Sequence, residues 1–498
     1  MFKLLKTNLV IVTAFVVIAF ITGLLLFTSP GLVGIDGYYH ISIASVIWNE
    51  GITFAFPWLE FTLLDQDHYV DMHMLFHILQ SPFTALLPLD DAARLSAAFF
   101  LATAAAIFVW LLQRYEVPYP LLWLLILLIL SEAFLYRMMM SRPPVFALIY
   151  SWLAFYSLMQ RKHLMLAIVA CLFVWTYKVF PILLPMAVVG IFVIWIERGQ
   201  LDIKPLLAVL AGFAVGLVIN PYFPDNISFL WNAIHMKILS DGYVTSVGNE
   251  WYPLTTLNLL KDAAIPLAAY LLGLLLTDRH DWRRDPARLF WFLMATLWLL
   301  MLFKSRRFIE FFPPAALLFL IFALRPWLHH SWSKLIKQKL LWIPGGIAVA
   351  LLLFGAYHTL GGEYERLQKR QPVEAYAGAS QWLSTHTEAG TRVFQTDWDD
   401  FPLLFFHNRH NTYTLGLDPD YMRLKDEGLY DIWKLISRGN IRHPEDLIRD
   451  QFDSEYVFTD TKHKAFIRIA ERNARMQKVY SDRYARVYRV IAAKEESP

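Results

Sequence analysis

The sequence contains little charge for its length. Only 17% of its 498 residues are Asp, Glu, Lys or Arg, whereas 57% are hydrophobic, and the mean hydropathy is +0.41. This composition argues against a soluble globular protein, whose surface would need many more charged side chains. The formal net charge of +3 is too small to indicate a nucleic-acid partner.

Cysteine is nearly absent too. With Cys171 as the only one, no disulfide can form within the chain, and cysteine usage does not indicate a redox compartment. Apolar runs, in contrast, recur along the first 360 residues, and each is about as long as the hydrocarbon core of a bilayer. They predict a polytopic α-helical membrane protein with eleven spans, near residues 9–29, 93–113, 119–135, 145–160, 164–178, 181–196, 205–221, 263–277, 289–303, 309–324 and 341–358.

The basic residues predict an orientation. Lys3 and Lys6 precede the first apolar run, which is too long for a secretory signal and is predicted to be a retained span. With an odd number of spans, the two termini lie on opposite sides, and the C-terminal segment and Asp36 are external. The compact loops favour a bacterial inner membrane. Four basic loops are expected on the cytoplasmic side of the membrane, together with the N-terminus: 161–162, 198–204, 279–288 and 325–339.

The first external loop, residues 30–92, concentrates ionisable residues beside the membrane, which is typical of a functional site. Asp36 follows the first span almost directly. Two amphipathic stretches, 38–48 and 69–79, are too short to span a bilayer, and we expect both to lie along the interface.

The second of these stretches and the residues before it contain candidate metal ligands. His73 and His77 share a helix face at a spacing of four, and Asp67 and Asp71 repeat the spacing on a neighbouring face. Oxygen ligands favour Mg²⁺ or Mn²⁺, and imidazole allows Zn²⁺. Asp67, Asp71 and His73 are therefore candidate ligands of a divalent cation. The alternative is a solvated, hydrogen-bonded helix end.

From Gly361 onward the composition becomes that of a soluble domain. The sequence therefore predicts a transmembrane domain, 1–360, and an external mixed α/β domain, 361–498. Strands are predicted at 392–395, 412–415, 456–459 and 485–491, and helices at 375–385, 421–437, 446–450 and 464–475.

An early Asp, a long first external loop and an α/β tail together resemble the GT-C class of membrane glycosyltransferases, most of all oligosaccharyltransferase catalytic subunits. In that family a Trp-Trp-Asp-Tyr-Gly motif follows a strand of the tail, and here Trp398 and Asp399 match its second Trp and its Asp. The resemblance implies that these two residues bind the acceptor. It also implies that Asp36 is the catalytic carboxylate of the first loop, and that Glu250 is the functional Glu of a late external loop.

The sequence departs from that family in two places. The first Trp of the motif is replaced by Asp397, and the Tyr-Gly by Asp400-Phe401, which weakens the inference that the acceptor is an Asn-x-Ser/Thr sequon. The acidic metal-binding motif of the second external loop is replaced by the basic stretch 137–144, so the metal requirement moves to the first loop or is lost.

Another stretch resembles a second group of GT-C enzymes. Tyr177-Lys178-Val179-Phe180-Pro181 is similar to the Lys-x-x-Pro region of lipid A aminoarabinose transferases and protein O-mannosyltransferases, where the Lys meets the donor phosphate. By that resemblance, Lys178 is a predicted phosphate-binding residue.

The chemistry of sugar transfer from a polyprenyl-linked donor fits these residues. A carboxylate must activate the acceptor, and cations or a metal must stabilise the anionic leaving group. Asp36 suits the first role, with His40 one helical turn away, and Arg306 and Arg307 can bind phosphate through their forked donors. Each of these residues also has a non-catalytic alternative. Lys178 would extend its ammonium group to the membrane interface, and Arg306 and Arg307 would be an ordinary basic cluster at the end of a span. Glu250 would be a solvated loop residue, and the acidic residues at 397–400 would cap the helix that follows.

Two other functions are consistent with the sequence. A transporter or flippase for a lipid-linked sugar would also contain charged residues, but transporters place them near the bilayer midplane. A polysaccharide polymerase or ligase would use similar donors at the outer face. The early Asp and the α/β tail favour the glycosyltransferase.

Overall fold

The computed structural model describes residues 2–235, 248–277, 285–330 and 342–492. The predicted basic loops 279–288 and 325–339 therefore lie largely outside the described residues. The helices are α1 (Phe2–Phe27), α2 (Asp36–Glu50), α3 (Met74–Leu86), α4 (Leu89–Arg114), α5 (Pro120–Ile129), α6 (Glu132–Met138), α7 (Pro144–Met159), α8 (His163–Thr176), α9 (Leu183–Arg198), α10 (Lys204–Val218), α11 (Asp225–Ile234), α12 (Thr256–Leu275), α13 (Pro286–Lys304), α14 (Phe312–His330), α15 (Trp342–Gln368), α16 (Ala377–His386), α17 (Phe401–His407), α18 (Pro419–Lys425), α19 (Glu427–Ser437), α20 (Glu445–Asp450) and α21 (Lys464–Arg472).

The chain divides into two compact units. The first comprises residues Met1–Ser29, Arg94–Asn220 and Gly248–Arg370, and the second comprises Pro30–Ala93, Pro221–Val247 and Gln371–Pro498. The predicted transmembrane domain, 1–360, includes the first long loop, residues 30–92. In the structure this loop belongs to the same unit as the tail.

Every predicted span coincides with a helix, but the count of eleven spans is not confirmed. In the described part of the chain, five helices are long and apolar enough to cross a bilayer, and a bent pair raises the number to six. The bent pair is α5 and α6, which meet at 100°. The Ser131 side chain accepts a hydrogen bond from the Phe134 N–H and so starts a new helix where the sequence predicted a continuous span.

Two helices of the first unit pack closely through glycine. Gly212 and Gly216 lie one turn apart on α10, facing Ala167, Ala170 and Val174 of α8. The Trp175 Nε1–H donates a hydrogen bond to the Gly216 carbonyl at 2.7 Å. Small residues at this spacing let two helix backbones approach, which is how apolar helices gain contact energy within lipid.

The second unit contains a five-stranded sheet. Its strands are β1 (Arg392–Gln395), β2 (Thr412–Tyr413), β3 (Tyr456–Asp460), β4 (Met476–Ser481) and β5 (Ala485–Val490). The order is β2-β1-β3-β5-β4, with β2, β1 and β3 parallel and the other pairings antiparallel. The mixed α/β prediction is confirmed. One strand, β4, is not among the predicted strands; it is an edge strand with exposed Gln477 and Lys478.

Residues 30–92 contribute about half of one hydrophobic cluster of this unit, while a second cluster is built from the tail. Residues Gly37–Ile47 of α2 are all buried, so α2 is a core helix and not the exposed interfacial helix that we expected. The Tyr39 ring lies 6.0 Å from that of Phe405 on α17, and the Trp58 indole N–H donates to the Arg409 carbonyl at 2.9 Å. The second predicted amphipathic stretch becomes helical only from Met74.

We expect Gly212→Val to destabilise the first unit. An added Cβ would lie 2.7 Å from the Cβ of Ala170 and closer still to the Ala167 carbonyl oxygen. Such overpacking costs about 1–3 kcal/mol, which thermal unfolding of the purified protein in detergent would detect. Gly23→Val is the control, because nothing lies within 4 Å of its added Cβ. Equal melting temperatures of the two variants would contradict the packing argument.

Candidate functional site

The predicted site residues fall in both units. Lys178, Glu250, Arg306 and Arg307 belong to the first unit. The second unit contains Asp36, Asp67, Asp71, His73, Trp398 and Asp399.

Glu250 lies in the single turn Asn249–Trp251 and binds two arginines. The Arg137 Nη1–H donates to its Oε2 at 2.5 Å, and the Arg307 Nη1–H donates to its Oε1 at 3.1 Å. The Ser305 hydroxyl donates to the Glu250 backbone carbonyl at 2.9 Å. Both carboxylate oxygens are thus used, and Glu250 joins α6 to the turn after α13.

Arg137 and Arg307 extend this cluster to two further residues. The Arg137 Nε–H donates to Oε1 of the fully buried Glu310 at 2.7 Å. Arg307 donates to the Tyr177 hydroxyl and lies 4.8 Å over the Trp251 ring. We define the arginine cluster as Arg137, Tyr177, Glu250, Arg307 and Glu310.

Three members of this cluster are not among the predicted site residues: Arg137, Tyr177 and Glu310. Each had a weak signal. Arg137 opens the basic stretch that replaces the family's acidic motif, Tyr177 precedes Lys178, and Glu310 follows Arg307 by three residues within an apolar region. Their partners are more than 100 residues away along the chain, so no local pattern pairs them.

Glu250 is held in its ionised form. Burial by itself would raise its pKa, but the positive charges of Arg307, Arg137 and Arg142 together hold the pKa of Glu250 well below its ordinary value. The carboxylate is therefore charged at neutral pH, where it is the anionic partner of the two guanidinium groups.

Arg306 and Lys178 differ from Arg307 in their surroundings. Arg306 is half-buried and donates to the Tyr252 and Pro253 carbonyls at 3.4 Å each, so the two neighbouring arginines do not form one fork. Lys178 is half-buried in the turn between α8 and the Phe180–Ile182 turn, next to Tyr177 in the sequence.

In the second unit, Asp36 is the first residue of α2. Gly34, at φ +81°, turns the chain into this helix, and its carbonyl accepts the Gly37 N–H. Asp36 is half-buried in the first turn, where the free N–H groups of the helix favour a negative charge.

A buried hydrogen-bonded chain begins one turn further along α2. The His40 Nδ1 lies 2.7 Å from the His77 Nε2, and the His77 Nδ1 lies 2.6 Å from the Asp71 Oδ2. A carboxylate can only accept, so the Asp71 side chain fixes the proton of His77 on Nδ1. In the neutral form the His77 Nε2 then accepts from the His40 Nδ1–H, and the Nε2 of His40 is left as the basic nitrogen.

The hydrogen bonds between Asp71, His73 and His77 involve residues that were predicted to bind a metal. The Asp71 Oδ1 accepts the His73 backbone N–H at 2.9 Å while its Oδ2 binds His77. Asp67 is exposed and lies before α3, not on it. Within the described ranges, no group of three or more His, Cys, Asp or Glu side chains could hold a metal ion. The arrangement does not support the divalent-cation site, which stays a prediction.

Trp398 and Asp399 lie in the single turn Trp398–Asp400 that follows β1. The Asp397 side chain caps this turn by accepting the Asp399 N–H at 3.1 Å, as the capping alternative predicted. Trp398 is half-buried and lines a cavity, whereas Asp399 is exposed and does not line it.

We expect Glu250→Gln to destabilise the first unit by about 3 kcal/mol, because it leaves two guanidinium groups without their shared carboxylate. Glu365→Gln, an exposed glutamate of α15, is the control. Because the pKa of Glu250 is lowered by folding, its stabilising effect is complete at neutral pH and is lost as pH falls well below the ordinary value of 4.5. Melting temperatures from pH 7 to 3 should therefore converge for wild type and variant. A constant difference would contradict the assignment.

Comparison with known proteins identifies the fold. No protein-family model and no curated protein matches the sequence. The solved archaeal oligosaccharyltransferase AglB from Archaeoglobus fulgidus, in complex with an inhibitory peptide and a dolichol-phosphate, superposes with a TM-score of 0.66 at 13% identity, covering 98% of this chain and 75% of that chain. ArnT from Cupriavidus metallidurans bound to undecaprenyl phosphate gives a TM-score of 0.57 at 16% identity, covering 96% of this chain and 97% of that one. The protein is a polytopic α-helical membrane protein with the GT-C fold and a mixed α/β tail.

Proposed function

We propose that the protein is a membrane glycosyltransferase that moves a sugar or oligosaccharide from a polyprenyl-phosphate-type donor to an acceptor at the outer membrane face. The observation that carries this proposal is the arginine cluster. Its two arginines are neutralised by Glu250 and Glu310, and the field of Arg142 also reaches Glu250, so the region has an excess of positive charge. An anionic leaving group would be stabilised by such an excess.

Arg307 is the best candidate for direct contact with the donor phosphate. Its Nη atoms bind Glu250 and Tyr177, while its buried Nε–H has no hydrogen-bond partner among the described residues. Buried donors of this kind are rarely left unused in native structures. A phosphate oxygen would satisfy the Arg307 Nε–H, and Lys178, beside Tyr177, would add a second cation.

The first unit also offers space for the prenyl chain. A cavity of 210 Å³ lies among α1, α5 and α6 and is lined by apolar residues such as Val17, Ile21, Leu121 and Leu125. Solved structures with this fold contain dolichol-phosphate and undecaprenyl phosphate. By analogy with those proteins, we infer that the donor of this protein is a polyprenyl-linked sugar. The compact loops favour a bacterial inner membrane as its location.

The transfer reaction assigns a role to each group. The acceptor oxygen or nitrogen attacks the anomeric carbon of the sugar and forms the new glycosidic bond, and the bond from that carbon to the phosphate oxygen breaks. The electron pair leaves with the polyprenyl phosphate, whose charge the arginines stabilise. The acceptor proton passes to Asp36, the general base. Trp398 and Asp399 are the proposed acceptor contacts.

The His40 chain supports Asp36 from within the same helix. His40 lies one turn after Asp36 on α2, and its orientation is fixed through His77 by Asp71. We infer that His40 is a positioning residue that keeps the first turn of α2 rigid around the carboxylate.

Asp36→Asn should abolish transfer, because it removes the base without changing the shape of the side chain. General-base catalysis contributes roughly 10²–10⁴-fold, so a loss in that range is expected. Cells that lack the gene would be complemented with each variant, and their glycans and glycoproteins profiled by mass spectrometry. Glu50→Gln, at the exposed end of the same helix, is the control.

The purified protein separates an enzyme from a transporter. Incubation with a panel of undecaprenyl-linked sugars, together with candidate protein, lipid and glycan acceptors, should transfer the sugar and release undecaprenyl phosphate or pyrophosphate with wild type and with Glu50→Gln, but not with Asp36→Asn. Unchanged activity of a normally folded Asp36→Asn protein would remove Asp36 from the catalytic role. Transport of the intact lipid-linked sugar without cleavage would refute the glycosyltransferase.

Replacing Lys178 or Arg307 by Gln should weaken donor binding, because each change removes a charged hydrogen bond worth about 1.5–3 kcal/mol. Native mass spectrometry of the protein with undecaprenyl phosphate would measure the affinity, with Lys304→Gln, an exposed lysine at the end of α13, as the control. Wild-type affinity in both variants would show that these residues do not bind the phosphate.

A further inference from the structure

A cavity of the second unit lies at the carboxyl ends of two parallel strands. It has a volume of 540 Å³ and is formed by the turn after β1, the turn after β3 with the start of α21, and one face of α19. In open α/β sheets, ligands bind in the crevice outside the carboxyl ends of the strands. The location is therefore that of a ligand site.

The lining of this cavity is strongly basic. Its only carboxylate side chain is Asp397, which accepts the Asp399 N–H. Within the described residues, no ion pair includes Arg438, Lys464 or Arg468, and all three are exposed. Their charges are thus available to an anionic ligand. The cationic lining residues are Lys434, Arg438, Lys462, Lys464 and Arg468.

The N-terminus of α21 adds to this preference for anions. The helix has nine residues, and its N-cap residue, His463, makes no capping hydrogen bond. The His463 Nδ1 instead lies 2.6 Å from the Asp460 Oδ1. The Lys464 N–H donates to the Lys462 carbonyl at 2.8 Å, whereas no side chain caps the next N–H groups of α21, which lie beside Lys464 and the other cations.

Aromatic side chains form another part of the lining. The Trp433 indole N–H donates to the Gln395 carbonyl at 2.9 Å, which fixes the ring, and the Tyr430 ring lies nearly parallel to it at 5.9 Å. Trp398 is half-buried at the end of β1. A pyranose ring presents a face of C–H groups that packs on such aromatic surfaces, whereas an inorganic anion gains nothing from them.

A buried hydroxyl group in the cavity has no partner. Ser437, on α19, is 6% exposed, and its Oγ makes no hydrogen bond within the described part of the chain. Buried polar atoms are nearly always paired, so an unpaired hydroxyl in a cavity lining points to a ligand with hydroxyl groups.

We propose that this cavity binds an anionic sugar, a pyranose carrying a phosphate or carboxylate group, as part of the acceptor. The anionic group lies against Lys464, Arg468 and the start of α21, the ring packs against Trp398, and Ser437 bonds a ring hydroxyl. The inference rests on the proposed function and gives its acceptor a chemical class, an acidic glycan.

Binding to the purified full-length protein in detergent tests this inference. Four probes are compared by saturation-transfer NMR or, for inorganic phosphate, by competition: glucose 6-phosphate, glucuronic acid, glucose and inorganic phosphate. We expect at least one anionic sugar to bind at least tenfold more tightly than both glucose and phosphate. The tighter of the two anionic sugars identifies the acidic group. If glucose bound as tightly as the anionic sugars, the role of charge would be refuted. If inorganic phosphate bound as tightly, the cavity would be a site for anions and not for sugars.

Variants of exposed residues locate the binding. Arg468→Gln and Lys464→Gln should each lower the affinity for the anionic sugar about tenfold, since each removes one charge-assisted hydrogen bond. Arg472→Gln, one turn further along α21, exposed and outside the cavity, is the matched control and should bind as wild type does. If a double variant with both Lys464→Gln and Arg468→Gln bound the anionic sugar with wild-type affinity, the proposal would be overturned.

The same measurements distinguish this inference from the proposed function. A protein that binds anionic sugars through Arg468 but cleaves no lipid-linked donor would refute the transferase and leave the sugar site intact. Transfer that depends on Asp36, without saturable binding of either anionic sugar, would refute the sugar site alone.

Discussion

The first unit depends on how its buried charges are paired. Arg137 binds Glu250 and Glu310 together, and Arg307 binds Glu250 and Tyr177, so one network connects α6, the end of α8 and the turns before α12 and after α13. Breaking one member leaves its partner charged and buried, which costs far more than the pair contributes. The helix ends must therefore keep one arrangement, in which Glu250 and Glu310 balance the two arginines and the field of Arg142 reaches Glu250 as well.

The sequence predicted most of the fold because the relevant signals are local. Each apolar run became a helix, and β1 and β3 were found nearly to the residue from short apolar strands with turn residues around them. The bend at Ser131 was missed because a capping serine within an apolar run does not change its hydropathy. The edge strand β4 was missed because Gln477 and Lys478 are exposed and give it no apolar pattern.

The candidate site was less predictable, since its pairs connect distant parts of the chain. Asp36 and Arg307 could be selected from their positions beside predicted spans. Other contacts exist only in the folded chain and could not be predicted from position. Asp71 binds His77, and Arg137 lies between two glutamates. Neighbours in sequence also separated: Arg307 is buried in ion pairs, whereas Arg306 bonds backbone carbonyls. Spacing predicts which residues share a helix face, but not which atoms they meet.

The second unit is built from three segments that are far apart in the chain. The Trp58 indole reaches the Arg409 carbonyl across 351 positions of sequence, and α2 packs on α17 across a comparable distance. During synthesis the first loop is made early, while its partners on β1, β3 and α17 emerge only after nearly all the membrane helices. Aromatic side chains such as Tyr39, Phe56 and Trp58 therefore lack their packing partners until the rest of the chain has been synthesised and inserted. A chaperone or the membrane surface would have to shelter them, and the tail made alone would lack the side chains that residues 30–92 supply to one of its hydrophobic clusters.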